Sequence, residues 1–253
     1  VFAATVFMII CQRFSWANRG LRVLSAAVVL LLFSPMATNM AITFETPNQL
    51  PLRFLCVPIT IALTPFIARI GNLYGWLLVG AVSPFFIAWN FEVGVQCMVA
   101  LGFATFLKAS RLGIMAVRIG GAVFIATFAL TVAALLLVLF DMPLGASLTE
   151  LGTRVAVRVE AAKVGFGGTA YFIYVPFIVL MGHALLGFFK HLRNLRLPEP
   201  LTEVQLQSAA IVGLIIVLGP YAMGRYAIWN MWIPMLLYIL WMLPRLAGPD
   251  IRI

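Results

Sequence analysis

Charged side chains are scarce in this sequence, and acidic ones are the scarcest. Only 10% of the 253 residues are charged, with 8 Asp and Glu against 17 Lys and Arg. Soluble globular domains carry about 25% charged residues, so this class of protein is excluded. The formal charge of +9 would suggest a nucleic-acid partner in a soluble chain. Basic loops that set the topology of a membrane protein explain it better, so we expect no nucleic-acid partner.

Cysteine and histidine are also rare, with 3 and 2 residues. Cys11, Cys56 and Cys97 each stand alone within an apolar run, and no CxxC or Cys/His cluster occurs. This spacing supports neither a disulfide framework nor a metal site, and we expect no cofactor. His183 lies inside an apolar run, where an inter-helix hydrogen bond is its expected role. His191 belongs to a basic loop and is expected to be solvated.

Long apolar runs dominate the chain, which is 63% hydrophobic with a mean hydropathy of +1.07. A helix crosses the hydrocarbon core with about 20 residues. The sequence therefore predicts an all-α, polytopic transmembrane helix bundle, one domain over 1–253 with eight or nine membrane segments. The first begins inside an apolar run, so we expect a truncated helix and a chain that is the C-terminal part of a longer protein. The nine segments are Val1–Cys11, Val23–Ile42, Phe54–Ala68, Leu73–Trp89, Val95–Leu107, Ile119–Phe140, Ala170–Phe189, Ser208–Met223 and Ala227–Leu243.

The distribution of basic residues orients these segments. When the connections alternate and Gln12–Arg22 is placed in the cytoplasm, 12 Lys and Arg fall inside and 5 outside, which accounts for all 17. Cytoplasmic loops carry such an excess, so the assignment is self-consistent. It predicts Arg69, Lys108 and Lys190 on the inner side. We expect a multi-pass protein of the bacterial inner membrane, with membrane lipids as partners.

The longest predicted non-membrane segment is Asp141–Thr169. Leu148, Leu151, Val155 and Val159 recur at spacings of three or four, with basic residues between them. The pattern is typical of an amphipathic helix on the membrane surface. Such a helix either covers an outer site and guides a lipid carrier, or binds lipid phosphates with its Arg and Lys. We favour the second interpretation.

Polar residues gather at the outer ends of the predicted helices. Arg225 is the most unusual, because it separates two apolar runs, and a charge at the bilayer centre costs about 2.5 kcal/mol or more. Glu92 is also closely flanked by apolar sequence. The two either pair with each other or bind a substrate, and helix-end anchors remain an alternative for the whole set. Its members are Glu45, Arg53, Asn90, Glu92, Arg225 and Asn230.

Two stretches resemble a known family. The segment IAWNFEVGVQCMVALGFATFLK, with Asn90, Glu92 and Gly94, resembles the part of bacterial polytopic glycosyltransferases of the C superfamily in which an Asn and an acid precede a Gly at a helix start. The segment GPYAMGRYAIWNMW is similar to their late Tyr-x-x-Gly-Arg-Ser motif followed by Asn-Leu. Tyr221, Gly224, Arg225 and Asn230 match it, whereas Tyr226 replaces Ser and Met231 replaces Leu.

The resemblance implies a transferase that takes a sugar from a polyprenyl-phosphate carrier at the periplasmic face, with its catalytic carboxylate upstream of this chain. Arg225 or Arg53 would stabilise the phosphate leaving group, because a fixed guanidinium is most effective where charge develops at low dielectric. Glu92 and Asn90 would bind sugar hydroxyls, and Tyr221 and Trp229 would stack on a sugar ring or the prenyl tail. Asn230 belongs to the same polar patch. The alternatives are a transporter or flippase subunit, although no inverted repeat is found, and a non-catalytic assembly subunit.

Overall fold

The computed structural model describes residues 54–140, 153, 171–193, 201–224 and 228–246, with some helix ends described by their backbone alone. Seven α-helices and no strand are found within those ranges, which confirms the all-α class. The helices are α1 (Cys56–Arg69), α2 (Asn72–Trp89), α3 (Phe91–Ser110), α4 (Ile114–Phe140), α5 (Tyr171–Arg193), α6 (Glu203–Gly224) and α7 (Ile228–Leu246).

Four of these helices, α2, α3, α4 and α6, are long and apolar enough to span a bilayer. Helix α1 and the apolar part of α7 are shorter. The chain is therefore a helical membrane protein. The predicted segments Val1–Cys11 and Val23–Ile42 lie outside the described residues, so the count of eight or nine segments stays a prediction. The amphipathic segment at 141–169 also lies outside them, apart from Thr153.

The predicted span Val95–Leu107 is longer in the structure than expected. A polar interruption at Asn90–Gly94 and a short span Val95–Leu107 were predicted, whereas α3 is a 20-residue helix that begins at Phe91. A single residue, Asn90, separates it from α2. The predicted interruption is too long because Asn and Glu are unfavourable in the interior of a membrane helix but favourable at a helix start, which is where Asn90 and Glu92 lie.

Two predicted basic loops are also shorter than expected. The predicted loop Lys108–Arg118 reduces to residues 111–113, with Gly113 in the left-handed region at φ 102°. Helix α5 continues to Arg193 and α6 begins at Glu203, so the loop predicted for Lys190–Gln207 is shortened at both ends. Helices α3 and α5 extend past their apolar runs because Lys and Arg favour a last helical turn, and α6 begins early because the acidic Glu203 favours a first turn.

The bundle is centred on α3 and α6, which pack directly against each other and against α1. Helices α2 and α4 lie on the α3 side, while α5 and α7 pack on α6. Small side chains permit the central contact: Ala100 and Ala104 of α3 and Ala210 of α6 are fully buried. A Cβ placed on Gly213 would lie 3.6 Å from the Cα of Ala100. Close approach of backbones at small residues is a common means of helix association in membranes.

Helix α4 is the most apolar and the least covered of the spans. Only 6% of its most apolar stretch is buried, against 67% for α6. It contacts α2 through glycines. A Cβ on Gly80 would lie 2.9 Å from the carbonyl oxygen of Phe124, and one on Gly120 would overlap the indole of Trp76. The remaining faces of α4 expose large apolar side chains, as expected for a helix that faces lipid.

Polar contacts join several helix ends on one side of the bundle. Arg69 at the end of α1 forms an ion pair with Glu203 at the start of α6, with Nε–Oε1 and Nη2–Oε2 both at 2.7 Å. At the end of α3, the Lys108 ammonium donates to three carbonyl groups at the end of α1, at 2.5 to 3.1 Å. The C-termini of α1 and α3 and the N-terminus of α6 therefore share one end.

The starts of α2 and α4 and the end of α5 belong to the same side. Asn72 Nδ2 donates to the carbonyl of Ala116 at 3.3 Å, and the rings of Phe103 and Phe188 stack at 4.7 Å. Successive helices thus alternate in direction. We call this side the basic end. It holds all the Lys and Arg whose side chains are described: Arg69, Lys108, Arg111, Arg118, Lys190 and Arg193. All six belong to the set predicted to share the inner side.

Candidate functional site

Every residue of the predicted site that the structure describes lies at the end of the bundle opposite the basic end. Among its residues, the structure describes the side chains of Asn90 and Glu92. Tyr221, Trp229 and Asn230 are described by their backbone alone, in the last turn of α6 and the first turn of α7. Arg53 and Arg225 lie outside the described residues, so their predicted roles stay predictions.

Asn90 ends α2 and starts α3. Its backbone is extended (φ −151°, ψ 110°), its N–H donates to the carbonyl of Phe86 at 3.0 Å, and its own carbonyl accepts from Gly94 at 2.7 Å. The side-chain Oδ1 accepts from the N–H of Val93 at 3.1 Å. This is the geometry of an N-cap, in which a side-chain oxygen satisfies one of the free amides of the first turn. Asn90 therefore has a structural role, which sequence reasoning did not assign.

Glu92 is held in place by a close contact between α2 and α3. A Cβ on Gly94 would overlap the carbonyl group of Phe86, so only glycine allows the first turn of α3 to approach the last turn of α2 this closely. Glu92 lies within that turn and is half-buried. A carboxylate is favourable there because the N-terminus of a helix carries partial positive charge. The contact fixes the backbone of Glu92 at the end of the bundle opposite the basic end.

One residue from each stretch that carries the family resemblance, Glu92 and residue 221, lies at the same height on neighbouring helices. Gly213 of α6 faces Ala100 of α3, and the two helices run in opposite directions. Glu92 precedes Ala100 by eight positions in α3, and residue 221 follows Gly213 by eight positions in α6. Because the helices are antiparallel, both steps lead away from the basic end. At 1.5 Å per residue, both distances are about 12 Å along the helix. The beginning of α3 and the end of α6 are therefore level with each other.

A second set of polar residues lies inside the bundle, and sequence reasoning missed it. Gln207 of α6 is buried and donates through Nε2 to the carbonyl of Ile61 at 3.3 Å. The hydroxyls of Thr64, Ser83 and Thr105 are buried and donate to carbonyls of their own helices. Ser and Thr commonly satisfy themselves in this way within membrane helices. These residues support helix packing. For Thr64, Ser83 and Thr105 the signal was a hydroxyl inside an apolar run, whereas Gln207 falls in the predicted loop Lys190–Gln207.

His183 makes the inter-helix hydrogen bond that was predicted for it. Its Nδ1 lies 2.5 Å from the hydroxyl of Tyr238 and joins α5 to α7. The rings of His183 and Trp241 are 5.2 Å apart, and those of Tyr238 and Trp241 are 5.8 Å apart. The three rings form one cluster between the two helices. His191, which was predicted to be solvated in a loop, lies in the last turn of α5 and is half-buried.

Metal-binding side chains are not clustered in the described part of the chain. No group of three or more His, Cys, Asp or Glu is positioned there to hold a metal ion. Cys56 and Cys97 are buried thiols without a disulfide.

Comparison with known proteins adds no relative: no family model, no curated protein and no solved structure matches the chain. The geometry of the bundle and the residues at its ends therefore carry the argument on function.

Proposed function

We propose that this chain belongs to a membrane-embedded glycosyltransferase of the bacterial inner membrane. The enzyme transfers a sugar from a polyprenyl-phosphate carrier at the periplasmic face. The observation that carries the proposal is the equal height of Glu92 and residue 221 on the adjacent helices α3 and α6. These two residues belong to stretches that resemble separate parts of one family motif set, although 129 positions separate them in the sequence.

The proposed chemistry divides the roles among the residues at this end. Cleavage of the bond between sugar and carrier leaves negative charge on the lipid phosphate. Arg225, with Arg53 as the other candidate, neutralises that charge in a site of low dielectric. Glu92 accepts hydrogen bonds from sugar hydroxyls. Tyr221 and Trp229 provide ring faces for the sugar or the prenyl chain, since one side of a sugar ring is apolar.

In this scheme only one of the two polar atoms of the Asn90 amide binds substrate. Its Oδ1 already accepts from Val93 as the cap of α3. The Nδ2 group is the part of the amide that serves substrate, as a donor to a sugar oxygen. The cap also fixes the first turn of α3, and with it the backbone position of Glu92.

The test uses the full-length protein in liposomes that contain polyprenyl phosphates loaded with different sugars, together with a heat-inactivated extract of bacterial membranes as the source of the acceptor that receives the sugar. The measured quantity is the release of free polyprenyl phosphate, which reports bond cleavage whatever the acceptor. We expect release by the wild type and a loss of about 100-fold or more in Arg225→Ala, the magnitude seen when a donor to a developing anion is removed. Arg118→Ala, at the basic end, is the matched control and should retain activity.

Other outcomes would contradict the proposal. Release that falls only in proportion to the amount of folded protein would give Arg225 a structural role. Movement of the intact lipid-linked sugar across the bilayer without cleavage would indicate a flippase. Absence of both activities from the full-length protein would leave an assembly subunit.

A further inference from the structure

One face of α5 carries an imidazole and an ammonium group among apolar side chains. Val179, His183, Leu186 and Lys190 follow at spacings of four, three and four, which places them on a single helix face. Val179 and Leu186 are 66% and 69% exposed, Lys190 is exposed and His183 is half-buried. Arg193, also exposed, continues this face at the basic end. We call these five residues the α5 stripe.

The imidazole of the α5 stripe is oriented by α7. His183 Nδ1 is 2.5 Å from the hydroxyl of Tyr238, and this bond uses one of the two ring nitrogens. Within the described part of the chain, Nε2 has no hydrogen-bond partner. The neighbouring positions on the stripe are apolar and face outward, into the hydrocarbon region. A polar group without a partner is costly there, because no water is present to replace it.

We propose that the α5 stripe binds one anionic phospholipid from the leaflet at the basic end. The lipid phosphate contacts Lys190 and Arg193, and an ester carbonyl of the same lipid accepts a hydrogen bond from His183 Nε2–H. In this arrangement the Tyr238 hydroxyl donates to Nδ1. The acyl chains lie along the exposed apolar residues of the stripe.

The dimensions of the stripe suit such a ligand. His183 and Lys190 are seven residues apart, about 10 Å along the helix axis. Side chains of an α-helix tilt toward its N-terminus, so the long Lys190 side chain brings its ammonium group back toward the level of His183 while its methylene chain remains in the apolar region. The phosphate and the ester carbonyls of a glycerophospholipid are likewise arranged in depth, with the carbonyls nearer the hydrocarbon. One lipid therefore meets both groups.

The charge around the stripe favours an anionic headgroup. Glu203 is the only acidic side chain described at the basic end, and it is bound to Arg69. Lys190 and Arg193 are therefore not neutralised by an acidic side chain in the described part of the chain. Each Lys or Arg near the membrane surface attracts anionic lipid by about 1 kcal/mol, which corresponds to about fivefold in affinity.

The experiment is a lipid titration of the full-length protein in detergent, followed by native mass spectrometry. The probes are phosphatidylglycerol and phosphatidylcholine with identical acyl chains. We expect one phosphatidylglycerol to bind the wild type more tightly than phosphatidylcholine, and Lys190→Gln to weaken it about fivefold. His183→Leu should also weaken it, whereas His183→Gln, which keeps an N–H donor, should retain more of the affinity. Arg118→Gln, an exposed cation of α4 at the same end, is the control and should bind like the wild type.

A further variant separates lipid binding from helix packing. Tyr238→Phe removes the inter-helix hydrogen bond but keeps the imidazole, so it should still bind phosphatidylglycerol better than His183→Leu does. Equal loss in Tyr238→Phe and His183→Leu would overturn the proposal, because the effect would then come from α5 moving relative to α7. Equal affinity for the two lipids, or equal weakening in Arg118→Gln, would also overturn it. The proposal would also be overturned if native mass spectrometry showed a membrane quinone or a second copy of the protein at this face in place of phospholipid.

Discussion

Arg69 and Glu203 form a bidentate ion pair between the end of α1 and the start of α6, although 134 residues separate them in the sequence. Both contacts are 2.7 Å long, which is the short distance typical of charge-assisted hydrogen bonds. The pair joins two helices that also pack against each other. It therefore fixes which end of α6 lies beside which end of α1.

Reversal of one charge in this pair should lower stability, and reversal of both should restore most of it. Arg69→Glu or Glu203→Arg alone places like charges together, whereas the double variant recreates an attractive pair. The effect should be small and reduced by salt, because the pair is exposed. Thermal unfolding in detergent, at low and high salt, measures it. A double variant no more stable than the sum of the single changes would show that the two residues do not interact.

Replacement of Lys108 by Met should destabilise the protein more than replacement of any exposed cation. The Lys108 ammonium donates to the carbonyls of Ile67, Ala68 and Ile70, and these acceptors would lose their partner. Hydrogen bonds that involve a charged group contribute about 1.5–3 kcal/mol, so we expect a loss of about 2 kcal/mol. Equilibrium unfolding in mixed micelles measures the change.

Two comparisons define the role of Lys108. Lys108→Arg should not restore stability, because a planar guanidinium does not direct its N–H groups to three converging carbonyls as an ammonium does. Arg118→Met, an exposed position, should change little. If Lys108→Met and Arg118→Met were equally stable, the contacts at the end of α1 would contribute nothing.

The adjacent glycines of α4 should respond in opposite ways to alanine. A Cβ on Gly120 would overlap the Trp76 indole, whereas nothing lies within 4 Å of one on Gly121. We expect Gly120→Ala to cost about 1–3 kcal/mol through overpacking. Gly121→Ala should be neutral or up to about 1 kcal/mol more stable, since alanine favours helix. Unfolding of the two variants tests this, and Trp76→Phe should relieve part of the strain in Gly120→Ala. Equal stabilities would contradict the described contact between α2 and α4.

Substitutions of Asn90 should separate its role as a cap from a role in substrate binding. Asn90→Ala removes the cap and should cost about 1 kcal/mol, whereas Asn90→Asp keeps an acceptor for the Val93 amide and should be as stable as the wild type. If Nδ2 also donates to a sugar, Asn90→Asp should lose turnover despite its stability. Unfolding and carrier-release assays on the same samples give the answer. Full turnover in Asn90→Asp would limit this residue to the cap.

Local sequence patterns were sufficient to locate the helices, because the apolar run that makes a helix is visible in its own residues. The apolar runs located all seven described helices, and the basic residues at their ends predicted which ends lie together. The helix boundaries were less well predicted. The start of α3 was placed at Val95 instead of Phe91 because Asn90 and Glu92 were interpreted as loop residues rather than as a cap and a first-turn acid.

Contacts between distant parts of the chain were beyond sequence reasoning. Lys108 was assigned to a loop, whereas its side chain contacts α1 about 40 residues earlier. Glu203 was likewise placed in a loop, and nothing near it in sequence identifies Arg69 as its partner. For the site, the sequence predicted that Glu92 and Tyr221 share one end of the bundle. Their equal height became visible only from the contact between Gly213 and Ala100, which depends on the packing of α3 on α6.

The length and exposure of α4 have a consequence for the surrounding bilayer. Its apolar stretch Ile114–Val138 has 25 residues, or about 37 Å of helix, whereas the hydrocarbon core is about 30 Å thick. Helix α1 has 14 residues, about 21 Å, but it is packed against α3 and α6. The apolar stretch of α4 is therefore longer than the hydrocarbon core is thick, and α4 accommodates this mismatch by tilting or by thickening the adjacent bilayer. The apolar surface is therefore taller at α4 than elsewhere on the bundle. We expect the tilt of the bundle relative to the membrane normal to change with the acyl-chain length of the lipids.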